Sequence, residues 1–248
     1  MPGPVVDTPS AQEFEREILA RISADELAAI AADLGRKSQA LQELLAPGAA
    51  RLDRAGLRQV LRWVFAARRH ADEILDTVGP QRLGDAIEAL LDHAAPGTSV
   101  DPAARFDRFD AVLAGFAGPG FDLPGELLHF TFPGRYWLWT RWLWNPQTQT
   151  GALRLVTTDD VDLADGATRG GIYVTVGRAT AFVSETGHAA GFTAAGPGLF
   201  GTDVFLAAVY GIYMYTVLQM RMTQEFNQLL PPLPDLIRRL LGIYHLED

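Results

Sequence analysis

Four of the chain's five tryptophans fall within residues 137–144, in the run Arg135-Tyr136-Trp137-Leu138-Trp139-Thr140-Arg141-Trp142-Leu143-Trp144. Indole rings are too large and apolar to sit in water without a reason. A fold must therefore enclose this run, present it to a partner, or divide it between the two. In helical geometry the four rings point almost all round the axis and need neighbours on every side. In strand geometry Trp137 and Trp139 share one face, and Trp142 and Trp144 share the other. Arg135 and Arg141 are placed to stack on rings in either case. The whole set (Arg135, Tyr136, Trp137, Trp139, Arg141, Trp142, Trp144) reads as a partner- or ligand-binding cluster, or as the aromatic junction between two halves of the protein.

Helical periodicity dominates the flanking sequence. Ser10 with Glu13, and Ser23 with Glu26, have the spacing of capping boxes. Phe14, Ile18, Leu19 and Ile22, then Leu27, Ile30, Leu34, Leu41, Leu44 and Leu45, recur at helical intervals up to Pro47-Gly48. A long helix is expected from about Arg54 to Val78, and another from about Gln81 to Ala94. Asp101 caps a further helix carrying Phe106, Phe109, Val112, Leu113 and Phe116 on its apolar face. The last long helix is expected from Asp203 to about Leu229, stopped by Pro231, Pro232 and Pro234, with a short terminal helix at 235–241.

Gly, Pro, Thr and Asp become frequent from 118 to 203. Residues 152–157 have the composition of a short strand. Residues 172–184 fit either a hairpin turning at Gly177-Arg178 or a helix, and the helix is favoured because its apolar period runs on to Ala190. The expected architecture is mainly α, a multi-helical globular protein with at most a small β-hairpin within 150–185. It divides into an N-terminal helical subdomain, 1–97, and an aromatic-rich C-terminal subdomain, 98–248, or forms one interlocked domain.

Composition removes several chemistries. There is no cysteine, so disulfides, thiol nucleophiles and Cys-ligated metals are excluded. The net charge of −9 opposes binding to phosphate backbones unless positive charge is concentrated locally. Met1-Pro2-Gly3-Pro4 lacks the pattern of a secretory signal, and the expected location is cytoplasmic. Val204–Met220 carries no charge over 17 positions, the lower limit for a membrane span. A buried core helix is the expected reading, with a single membrane-embedded helix as the alternative.

Two Glu-x-x-His pairs, Glu126/His129 and Glu185/His188, have the i, i+3 spacing from which carboxylate and imidazole share a metal. A di-metal bundle also needs a glutamate on a helix between the pairs, and none lies between His129 and Glu185. No metal and no cofactor is therefore assigned. Gly196-Pro197-Gly198-Leu199-Phe200-Gly201 matches the dinucleotide fingerprint, but no βαβ unit surrounds it. Leu123–Leu127 resembles the turn of helix-hairpin-helix DNA-binding modules over five residues, without its second glycine.

Arg51, Arg54, Arg58, Arg62 and Arg69 line one helical face as a basic stripe, a candidate grip for phosphates or for an acidic partner. With no nucleophile, metal cage or phosphate loop in the sequence, the expected role is a non-catalytic cytoplasmic adaptor. It would bind another protein, or itself, through the aromatic cluster. The alternatives are nucleic-acid binding through the arginine stripe, a metal-dependent oxidoreductase built on the Glu-x-x-His pairs, and a membrane-associated subunit.

Overall fold

The capping signals place the helix starts. In the computed structural model, described over residues 5–91, 101–192, 198–221 and 231–244, helix α1 covers Thr8–Arg21. It begins earlier than expected because Asp7, not Ser10, is its N-cap. The Asp7 carboxylate accepts the Ser10 amide at 3.3 Å and the Ser10 hydroxyl at 2.6 Å. Ser23 does cap α2 (Ala24–Leu45), its hydroxyl accepting the Glu26 amide at 3.2 Å. Asp53 caps α3 (Arg54–Trp63) through the Gly56 amide.

The long helix expected over 54–78 is two helices. α3 stops at Val64, whose backbone is extended, and α4 covers Ala71–Val78. The intervening turn buries Val64 and Ala67 and leaves Phe65 and Arg69 outside. It also folds the chain back, so that arginines of α3 reach carboxylates of α4. Helical periodicity cannot signal such a break, because both halves keep the same apolar spacing.

Helices α5 (Pro80–Leu91), α6 (Pro102–Val112) and α7 (Ala117–Thr131) follow, then α8 (Arg169–Ala190), α9 (Gly201–Arg221) and α10 (Leu233–Leu240). The protein is mainly helical, with ten α-helices and no strand among the described residues. Segment 172–190 is helix throughout. Residues 152–157 are not a strand: Leu153–Leu155 form a short 3-10 turn, and only isolated bridges, Val6 to Thr157 and Asn145 to Thr150, have β pairing. The chain reverses here instead of extending. The Ala152 and Leu153 amides donate back to the Trp142 and Leu143 carbonyls. Gly151, at φ +149°, sits where any Cβ would collide with the Leu143 carbonyl.

Two compact units share the chain. The first comprises 1–35, 142–162 and 179–248, and within it α9 packs on α1 and α10. Val204 to Val209 of α9 are all buried, which accounts for their lack of charge. Among the described residues no helix is long and apolar enough to cross a membrane. The second unit comprises 36–141 and 163–178, and within it α5 packs on α6 and α7. The boundary expected near residue 97 lies outside the described residues, as do Gly196 and Pro197 of the glycine-rich segment.

In the second unit α7 is buried at every residue from Pro119 to Thr131. The segment that resembles a helix-hairpin-helix turn, Leu123–Leu127, lies inside this helix, so no hairpin forms there. The chain after α7 passes so close that a Cβ on Gly125 would strike the backbone carbonyl of Trp139. Gly125→Ala is expected to destabilise the protein by about 1–3 kcal/mol, because neither backbone can yield. Gly35→Ala, in open space on α2, is expected to stabilise it by about 0.5–1 kcal/mol. Urea unfolding of the two variants checks both signs.

Candidate functional site

The tryptophan run takes neither expected geometry: residues 136–140 are irregular and 141–143 form a turn. An irregular path lets each side chain take a direction that no fixed helical or strand period sets. Trp139 is completely buried in the second unit, with Phe106 and Phe121 at ring-centroid distances of 5.6 and 4.7 Å. Phe106 stacks in turn on Tyr173 of α8 at 4.8 Å. Burial holds the Tyr173 hydroxyl in its neutral form and pushes its pKa well up. Tyr136 is buried and Trp137 half-buried. In the first unit Trp144 is buried and Trp142 half-buried, its ring 6.3 Å from that of Tyr210. Arg135 lies over the Tyr136 ring at 5.3 Å. Arg141 is committed elsewhere: its side chain pairs with Asp122 at 3.0 Å, and its backbone amide donates to the same carboxylate.

That carboxylate belongs to a polar seam along α7. Asp122, Glu126 and His129 recur at four and three residues, on one helical face. Glu126 accepts from Lys37 of α2 at 2.6 Å, and both side chains are buried. The Lys37 ammonium also lies 4.2 Å from the centre of the Phe130 ring. His129 is fully buried, its Nδ1 2.8 Å from the Tyr136 carbonyl oxygen. Arg105, itself buried, donates to the Leu90 carbonyl and to the Tyr136 hydroxyl. Burial raises the Glu126 pKa, and the nearby Asp122 adds to the rise, while Lys37 and His129 oppose it. Burial also raises Asp122, against its hydrogen bonds from Arg141.

The two Glu-x-x-His pairs have different settings. Glu126 and His129 lie inside the second unit with the partners just named, whereas Glu185 and His188 are exposed on the part of α8 in the first unit. Among the described residues no group of three His, Asp or Glu side chains is placed to hold a metal ion.

The basic stripe is divided by the break after α3. Arg58 pairs with Asp72, and Arg54 pairs with Asp76 at 2.7 Å and lies 3.7 Å from Asp72. Arg51 belongs to the short 3-10 turn Ala49–Arg51, at the rim of an open pocket of about 310 Å³ with Glu88. Arg62 and Arg69 stay exposed at the two ends of the turn, and Phe65 between them is 45% exposed. The Arg68 guanidinium covers one face of the Phe65 ring at 4.6 Å. Burial and repulsion from Arg69 both lower the Arg68 pKa from its ordinary value. Among the described residues no carboxylate forms a salt bridge with Arg62, Arg68 or Arg69.

Phe65, Arg68, Lys37 and Asp122 were not among the sequence candidates. Lys37 carries a legible signal: it falls between Leu34 and Leu41 on the apolar face of α2. Phe65 carries none, because its exposure follows from the helix break.

Comparison with protein-family models, with curated protein sequences and with solved structures finds no match to this chain.

Removing one member of a buried ion pair strands its partner. Lys37→Met is therefore expected to cost about 3–5 kcal/mol, and Lys37→Met with Glu126→Leu far less. The pH dependence has a definite sign. With its pKa raised in the folded state, Glu126 binds a proton more tightly there than in the unfolded chain. Its contribution is most favourable below about pH 4.5 and is lost as pH rises through the folded-state value. Urea unfolding over a pH series is expected to show wild type losing stability relative to the double variant as pH rises through that window. An unchanged difference would contradict it.

Proposed function

We propose that the chain is a non-catalytic interaction protein that holds a negatively charged macromolecular partner on the turn between α3 and α4. The observation that carries this reading is Phe65. It stands 45% exposed with an arginine stacked on one face and further arginines on either side, in a chain of net charge −9. Phenylalanine and arginine are both enriched at protein interfaces relative to the rest of the surface. Among the described residues several other arginines are engaged by the protein's own carboxylates and carbonyls, as are Arg54, Arg58, Arg105, Arg141 and Arg169. Much of the tryptophan run is likewise spent inside, at Trp139 and Trp144. A cytoplasmic setting is part of this proposal, and the acidic, cysteine-free composition fits it.

Retention of the full chain on immobilised polyanions tests the reading. At low ionic strength wild type is expected to be held on at least one of polyglutamate, heparin and DNA, and to elute with salt. The Phe65→Ala/Arg69→Glu variant is expected to pass through unretained. An acidic protein without a functional basic patch would be repelled by all three, so flow-through of wild type on every matrix overturns the reading.

A further inference from the structure

We infer that the partner taken by this turn is an acidic protein segment, with carboxylates set against Arg62 and Arg69 and an apolar side chain against the uncovered face of Phe65. The inference rests on the reading above and specifies its ligand.

The arrangement of charge selects a peptide over a nucleic acid. Duplex DNA carries about one charge per 1.7 Å, so a protein that binds it needs a positive surface that continues along the backbone. Within α3, the turn and α4, the arginines without a carboxylate partner among the described residues are Arg62, Arg68 and Arg69. The stripe does not continue as positive surface, because Arg54 and Arg58 are matched by Asp72 and Asp76. The helix that follows the turn presents Asp72, Glu73 and Asp76, each more than 60% exposed. Asp72 and Asp76 are the partners of Arg58 and Arg54, so a phosphate backbone leaving the turn along α4 would meet no free cation there and one carboxylate, Glu73, that no arginine matches among the described residues. A peptide carries charge only where its acidic side chains stand, and can leave the turn on neutral residues.

The aromatic group points the same way. Bases bind single-stranded nucleic-acid sites by stacking on open ring faces. One face of Phe65 is already taken by the Arg68 guanidinium. What remains is a single apolar face bordered by cations, which suits an aliphatic side chain flanked by carboxylates. Arg62 and Arg69 can each take such a carboxylate in a bidentate pair.

Fluorescence anisotropy on the full chain tests this with three probes. They are a labelled peptide with one leucine flanked by two or three glutamates and neutral residues beyond them, the same peptide with glutamine replacing glutamate, and a mixed-sequence DNA duplex. The acidic peptide is expected to bind, with a shallow salt slope reflecting about two or three charges, and the glutamine peptide is not. Phe65→Ala and Arg69→Glu are each expected to weaken the acidic peptide about tenfold. Arg21→Ala, on α1, is expected to leave it unchanged. Both test side chains are exposed, and unfolding midpoints matching wild type establish that the variants fold.

Tighter binding of DNA than of the acidic peptide would overturn the inference in favour of a nucleic acid. A dimer in sedimentation velocity that Phe65→Ala dissolves would overturn it in favour of a second copy of this chain. Retention on polyanions without binding of the acidic peptide sinks the inference alone. Failure of both sinks the underlying reading as well.

Discussion

Burial of α7 from Pro119 to Thr131 is the constraint on which the second unit depends. A helix buried on all sides satisfies its backbone internally, but each polar side chain must find a partner away from water. Asp122, Glu126 and His129 meet this demand with groups drawn from distant parts of the chain: Arg141, Lys37 and the Tyr136 carbonyl. Each of these bonds fixes the approach of another segment. Lys37 sets α2 against α7, and Arg141 with Tyr136 sets the path of the tryptophan run. Gly125 completes the arrangement, since only a residue without a Cβ lets the Trp139 carbonyl come so close.

The polar seam also explains why the aromatic run is irregular. A helix or strand would have engaged its own amides and carbonyls in a repeating pattern. Here the Tyr136 and Trp137 carbonyls accept from side chains, His129 and Tyr173, and the Arg141 amide donates to Asp122. The run is held by side chains of its surroundings, so its conformation cannot be read from its own periodicity.

Helix positions were legible because apolar spacing and caps are local properties, as Ser23 with Glu26 and Asp101 with Ala103 show. The break at Val64 was not, since the apolar spacing runs on through it and the turn depends on burying Val64 and Ala67. The β-prone residues of 152–157 are Val156 and Thr157, and no neighbouring strand exists among the described residues to pair with the segment. The candidate site divides along the same line. The Glu-x-x-His at 126 marks a buried polar cluster, but its chief partner, Lys37, lies 89 residues away and no spacing rule connects them. The arginines were visible as a stripe, whereas their separation into matched and unmatched members depends on tertiary structure.

Lys37 is the chain's single lysine, and its side chain is wholly enclosed. The native surface therefore offers no ε-amine to reagents or enzymes that act on one. Acylation at this residue requires α2 and α7 to part, so its rate follows the opening of the second unit instead of the intrinsic reactivity of the amine. The same enclosure makes the protein blind, while folded, to lysine-directed tagging, and exposes one defined attachment point once that contact is lost.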